Sequence, residues 1–197
     1  MIEIKNLNKI YLKGKKNMVH ALNNINLKID DRETVAIIGE SGAGKSTLLH
    51  IMSCIDNFDG EYYLDNIDIN KLSESKKSKL RSSKIGIVLQ DFALIDDFTV
   101  FENVMTPLYF NKKIKDKKGS VMRALKKTGI VSLKAKKVSQ LSGGQKQRVA
   151  ISRALVTSPE YIFADEPTGS LDSKTSEEIV KMLFDLNRNG ITIVIVT

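Results

Sequence analysis

Short apolar stretches separated by polar turns run through the whole chain, and their period switches repeatedly between two and about 3.6. Ile2 to Ile10 alternates and predicts a strand. Ile25, Leu27 and Ile29 predict a second, and the continuous run Thr34, Val35, Ala36, Ile37, Ile38 a third. A helix follows from Lys45 to Ile55, with Leu48, Leu49, Ile51 and Met52 on its apolar face, then a hairpin over Glu61 to Ile69 turning at Asp65-Asn66. Ser73 to Lys84 reads as a polar, basic helix and Ile85 to Leu89 as a compact buried strand. Val100, Val104 and Leu108 space a helix over Val100 to Tyr109, limited by Pro107. Gly119 weakens the start of the next helix, which runs from Ser120 to Thr128 and stops at Gly129. The remaining expectations are a helix from Lys146 to Val156, a strand from Tyr161 to Asp165, a helix from Ser173 to Asn189 buried through Ile179, Val180, Leu183 and Leu186, and a last strand from Ile191 to Val196.

At 197 residues and 42% hydrophobic content, the chain has the size of one α/β domain with room for an inserted subdomain. No apolar run approaches the ~20 residues that a membrane-spanning helix needs, and Met1 to Lys5 lacks the plan of a signal peptide, so a cytoplasmic protein is expected. The single cysteine, Cys54, falls on the apolar face of the first helix, where packing is its expected role; His20 and His50 have no metal-binding spacing.

The net charge of +8 changes the picture because it is unevenly spread. Lys71 to Lys84 holds six basic residues against one acidic, and Lys112 to Lys137 eleven against one. Three readings stand: a solvated helical face, contact with an anionic membrane surface or membrane partner, and nucleic-acid binding. Neither stretch interleaves aromatics for base stacking, so no specific nucleic acid is expected.

The candidate chemistry starts at Gly39-Glu40-Ser41-Gly42-Ala43-Gly44-Lys45-Ser46-Thr47, between a strand and a helix. That is the context of a phosphate-binding loop, whose glycines curl the backbone around a polyphosphate, whose lysine reaches the β- and γ-phosphates, and whose Ser46 ligates Mg²⁺. Gln90 lies at the carboxyl end of a strand, where α/β proteins place ligands. Leu141-Ser142-Gly143-Gly144-Gln145 precedes a helix and presents bare amides to an anion. Asp165 and Glu166 end an apolar strand; beside a phosphate site such a pair calls for a cation, with Asp165 and Ser46 holding Mg²⁺ and Glu166 free to orient or deprotonate water. Tyr11, just past the first strand, is a candidate for stacking on a base.

In this order, the phosphate loop, Gln90, Leu141 to Gln145, Asp165-Glu166-Pro167-Thr168-Gly169 and Ser170 to Asp172 resemble the ATPase subunit of an ATP-binding cassette (ABC) transporter, over essentially the whole chain. The wording of the phosphate loop, of Glu102-Asn103-Val104 and of Ala164 to Gly169 is similar to the macrolide-export, lipoprotein-release and antimicrobial-peptide-export branch. The resemblance implies a single ABC ATPase domain: a parallel-sheet core with an antiparallel β part at 1–90 and 158–197, and a helical subdomain at 91–157 that carries the signature. It implies that two copies pair head to tail. ATP is then clamped between Lys45, Ser46, Gln90, Asp165 and Glu166 of one copy and Ser142, Gly143 and Gly144, with Gln145 beside them, of the other. Tyr11 stacks on adenine, Gln90 joins Ser46 and Asp165 at the metal, and Lys45, Gln90 and Glu166 carry the hydrolytic chemistry. Asp172 communicates across the dimer. The helical subdomain docks on a separate transmembrane permease, so the chain is expected on the cytoplasmic face of the cell membrane.

Two positions depart from the pattern. Val138 stands where this branch usually has proline, and the chain ends at Thr197, ahead of the family's switch histidine and its terminal elements. The resemblance therefore implies a C-terminally truncated cassette with slow hydrolysis. Other readings are a small-molecule or nucleotide kinase, which leaves Leu141 to Gln145 unexplained, and a GTPase, for which an Asn-Lys-x-Asp motif is missing. A soluble ABC ATPase of DNA repair, chromosome organisation or translation and a nucleotide-binding module without turnover remain as alternatives.

Overall fold

The computed structural model describes residues 1–12 and 14–197. In chain order the strands are β1 (Ile2–Tyr11), β2 (Val19–Ile29), β3 (Thr34–Ile37), β4 (Asp59–Leu64), β5 (Ile67–Asp68), β6 (Ile85–Val88), β7 (Tyr161–Asp165) and β8 (Thr192–Val196). The helices are α1 (Lys45–Met52), α2 (Glu74–Lys84), α3 (Val100–Phe110), α4 (Lys117–Lys127), α5 (Gly143–Leu155) and α6 (Ser173–Arg188). Short 3₁₀ turns at Ile69–Lys71, Val131–Leu133 and Val138–Gln140 were not foreseen from the periodicity.

Among the described residues these strands make two sheets. One is antiparallel in the order β2-β1-β4-β5; the other is parallel in the order β3-β8-β7-β6. The inner strands of the parallel sheet are apolar on both faces because both faces are covered. Tyr161, Phe163, Val194 and Val196 pack with Ile2, Ile4, Leu49 and Met52, beneath the antiparallel sheet and α1. Ile162, Ala164 and Ile193 pack the other way, with Val149, Ile151, Ile179 and Leu183 of α5 and α6. That second core runs without a break into the helical segment, through Val100, Val104, Leu108, Val121 and Leu125. Each such side chain, once buried, stabilises the fold by roughly 1.5–3 kcal/mol, so the helices are anchored to the sheet that carries the phosphate loop.

Four expectations give way to the structure. Pro107 does not limit α3, which continues to Phe110. The carbonyl of Asn103, which a residue at 107 would normally bond, accepts instead from the Thr106 hydroxyl. Helix α4 begins at Lys117, three positions before the expected Ser120, because Asp116 caps it by accepting from Gly119 N at 2.9 Å. A Cβ at 119 would collide with that carboxylate at 1.9 Å, so Gly119 permits the helix start that its low propensity argued against. Helix α5 begins at Gly143 instead of Lys146: Ser142 and Gln145 form a reciprocal capping box that takes both glycines into the first turn. Val180 is 36% exposed, outside the buried stripe of Ile179, Leu183 and Leu186.

Other readings hold. Asp65 and Asn66 turn the β4–β5 hairpin with φ 51 and 62, Gly129 and Gly190 end α4 and α6 at φ 73 and 94, and Cys54 is buried, which pushes its thiol up to about 11. Val138 is fully buried and donates its backbone N–H to Phe98 O at 3.0 Å, a bond that proline lacks.

Candidate functional site

Strand β3 leaves the parallel sheet at Ile37, and the chain turns through Gly39 to Gly44 into α1. Gly42 and Gly44 have φ 82 and 88, the left-handed region that favours glycine. Gly44 is further constrained, since a Cβ there would lie 2.3 Å from Ala21 O; Gly39 has only ordinary contacts, at 3.6 Å to Ala43 Cβ. Gly44 is the N-cap of α1 and no side chain caps that end, so the first amides of the helix stay open to an anion. Lys45 folds back over the loop, its Nζ donating to Gly39 O at 2.7 Å and Glu40 O at 3.0 Å. A cation is thus held where the open amides already favour negative charge. Glu40, Ser41 and Ala43 complete the turn, with Ala43 N donating to Glu40 O at 3.2 Å.

The neighbouring strands deliver the carboxylates. Ser46 Oγ donates to Asp165 Oδ1 at 3.1 Å, and Asp165 is buried. Two hard oxygen donors meet there at the foot of the phosphate loop. Strand β6 pairs with β7 so that Val88 faces Ala164, which puts Gln90 and Glu166 each two residues past a paired position. Gln90 Nε2 accordingly donates to Glu166 Oε2 at 2.8 Å. Glu166 takes φ 41, its N–H bonds Val196 O at 2.9 Å, and its carbonyl accepts from Gly169 N at 3.1 Å. Three backbone constraints therefore fix the base of a side chain whose carboxylate is half-exposed.

Tyr11 Oη donates to Asp56 Oδ2 at 2.8 Å and lies 3.5 Å from Thr47 Oγ1, so the aromatic sits beside the helix that follows the phosphate loop. Burial and then Asp56 raise its phenol above the ordinary value. The Lys9 ammonium lies 4.8 Å from its ring centre. The signature segment is elsewhere: Gly144 packs so closely on α6 that a Cβ would meet Thr175 Cγ2 at 2.5 Å, and Gly143 faces Leu171. Asp172 caps α6 through Thr175, accepting from its N at 3.0 Å and its Oγ1 at 2.6 Å, bonds that hold the Asp172 carboxyl below its usual range. No hydrogen bond or ion pair joins Ser142 to Gln145 with the phosphate loop among the described residues.

A family model described as "ABC transporter" matches residues 22–169, a span that includes the phosphate loop, the signature and both strand-end carboxylates. The chain belongs to the ABC transporter family. It is 46% identical to the ABC transporter ATP-binding protein MJ0796 of Methanocaldococcus jannaschii, over all of this chain and 86% of that protein. It is 43% identical to the macrolide export ATP-binding/permease protein MacB of Mannheimia succiniciproducens, over all of this chain and 31% of that one. Among solved structures it resembles the dimeric post-hydrolysis state of the ATP-binding cassette MJ0796 bound to ADP and Pi, with a TM-score of 0.91 and 44% identity over all of this chain and 88% of the other.

Within this ABC fold the sequence-predicted residues form two groups. Tyr11, Gly39 to Thr47, Gln90, Asp165 and Glu166 gather around the phosphate loop, while Ser142, Gly143, Gly144 and Gln145 lie against α6. Gln145 commits its side-chain oxygen to Ser142 N at 3.1 Å, capping its own helix. Sequence reasoning passed over Thr175, which joins Asp172 to Gly144, and Arg153, which reaches the turn after Gln90. Asp172, followed three residues on by a hydroxyl, carries a capping signal for the first; a lone arginine late in a helix carries none for the second.

Proposed function

We propose that the chain binds and hydrolyses ATP as the cytoplasmic subunit of a transporter, pairing head to tail with a second copy and driving a separate transmembrane permease. The observation that carries this reading is the meeting, at the carboxyl ends of β3, β6 and β7, of Lys45 and the open α1 amides with the Ser46–Asp165 and Gln90–Glu166 contacts. The amides and Lys45 offset the charge of a triphosphate and orient it. The Ser46 hydroxyl and Asp165 carboxylate, with Gln90 as a third donor, fit Mg²⁺: they are hard oxygens, few in number, and leave positions for phosphate and water. Bound Mg²⁺ supplies charge neutralisation at the β- and γ-oxygens. Glu166 accepts the proton of the attacking water, and Gln90 holds that carboxylate in place.

The signature residues Ser142, Gly143 and Gly144, with Gln145 bracing the turn, complete the site of the opposite copy, and Tyr11 stacks on the adenine. The solved MJ0796 cassettes are dimeric, and MacB joins ATP binding to a permease in one protein, which supports both partners. The division is a core of 1–90 and 158–197 with a helical subdomain at 91–157. A groove of about 360 Å³ lined in part by Ile55, Ile87, Leu89, Pro107 and Phe110 gives the permease an apolar seat. No helix among the described residues is long and apolar enough to cross a membrane; contact with the permease runs through that seat and the basic surface around it.

Calorimetric titration with MgATP tests the reading. The chain binds, and Lys45→Ala loses tight binding because the loop's one cation is gone. Equal affinity in the variant would falsify the assignment.

A further inference from the structure

Arg153, near the C-terminal end of α5, directs its guanidinium at backbone instead of a carboxylate. Nη2 donates to Phe92 O at 2.8 Å and Nη1 to Ala93 O. Both residues that accept are in the left-handed region without being glycine, at φ 61 and 45. Such a pair of conformations persists only where its surroundings enforce it. The turn they belong to is closed by Phe92 N donating to Leu89 O at 3.0 Å, and Gln90 lies inside it. Burial lowers the guanidinium's pKa and Asp91 opposes that shift, so the charge sits in a partly desolvated place where carbonyl contacts are strengthened.

We infer that Arg153 is a positioning residue for hydrolysis: its fork holds the turn from Leu89 to Ala93 in the one arrangement that lets Gln90 reach Glu166. This rests on the reading of Gln90 and Glu166 proposed above. It also gives α5 a mechanical role. Gly143 and Arg153 lie near opposite ends of α5, about 15 Å apart along a single helix. The end that carries the signature is thereby tied to the turn that sets the hydrolytic pair. Arg153 also lines the apolar groove beside Leu89 and Phe110, so whatever occupies that groove acts on the same turn.

Arg153→Lys keeps the charge but cannot bridge two carbonyls, and Arg153→Met keeps much of the packing without the charge. Both are compared with Gln90→Ala and with the Gln90→Ala/Arg153→Lys double variant by steady-state phosphate release with MgATP. ATP affinity is measured in the Glu166→Gln background, and melting temperature is followed throughout. The expected result for Arg153→Lys is a fall in kcat of about tenfold or more, with KM and ATP affinity within about twofold and melting temperature unchanged. The double variant should be no slower than Gln90→Ala alone. Wild-type kcat in Arg153→Lys overturns the inference, as does a loss that multiplies with that of Gln90→Ala or that follows lowered affinity or melting temperature. If Gln90→Ala itself turns over normally, the underlying reading fails and the inference with it; an impaired Gln90→Ala beside an unimpaired Arg153→Lys sinks the inference alone.

Discussion

Gln90 and Glu166, 76 positions apart in the chain, are joined across 2.8 Å by a side-chain hydrogen bond. The contact follows from strand register. With Val88 opposite Ala164, the residues two beyond each leave the sheet side by side at its carboxyl edge. Glu166 is then turned by φ 41 out of the strand direction, away from buried Asp165 at the Ser46 hydroxyl. Adjacent carboxylates are thereby given separate partners, one a hydroxyl and the other an amide.

Glu166→Gln keeps the shape and removes the proposed base. Phosphate release should fall by about 10² to 10⁴-fold, roughly 3–5 kcal/mol of barrier, while ATP stays bound. Full turnover in this variant would show that the proton goes elsewhere.

The two outer glycines of the phosphate loop should behave differently. Gly44→Ala meets Ala21 O at 2.3 Å and requires φ 88, so it should lower stability by about 1–3 kcal/mol and abolish ATP binding. Gly39→Ala meets only ordinary contacts and should leave the melting temperature near that of the parent. Thermal melts of the two variants decide the matter; equal destabilisation contradicts it.

Acid should act through Asp65. Its burial disfavours charge, but hydrogen bonds from Lys84 at 2.5 Å, from the Tyr161 hydroxyl and from the Met1 amine outweigh that and lower its carboxyl from 3.8 to about 2. The fold favours the ionised form, so this stabilisation is complete above about pH 4 and is lost as pH falls through 2. For a carboxylate that is still partly solvated it amounts to about 1–2 kcal/mol. Asp65→Asn should be less stable at pH 6 and converge on the parent toward pH 2 in urea titrations. A gap that does not shrink with acid would assign the cost to lost packing.

The long basic run is not one surface. Lys112 and Lys113 line a pocket with Lys79 of α2 beside Phe110, which is 78% exposed, whereas Lys127 lines a cleft with Arg148, Glu178 and Lys181. Each lysine near an anionic leaflet adds about 1 kcal/mol. Lys112→Glu with Lys113→Glu should therefore weaken cosedimentation with vesicles of acidic phospholipid more than the charge-matched pair Lys127→Glu with Lys181→Glu in the other cleft does. An equal effect of both would mean that net charge alone governs the binding.

Much of the molecule can be read from short spans of sequence, because the forces involved are local. A phosphate loop needs glycines, a lysine and a hydroxyl within nine residues at a strand-to-helix turn, and Gly39 to Thr47 supplies them in that context. The hairpin at Asp65-Asn66 and the helix stops at Gly129 and Gly190 depend on the conformational range of single residues, and they too were legible. Where local propensity misled, a side chain had changed the accounting of hydrogen bonds: Thr106 satisfied the carbonyl that Pro107 leaves free, and Asp116 capped a helix through Gly119. Tertiary structure alone decided the rest. Strand register set Gln90 against Glu166, the close approach of α6 set Thr175 against Gly144, and the packing of α5 aimed Arg153 at the turn of Phe92 and Ala93. These contacts join residues tens of positions apart, and their geometry is fixed by the two cores that clamp the faces of the parallel sheet, not by the preference of any residue that takes part.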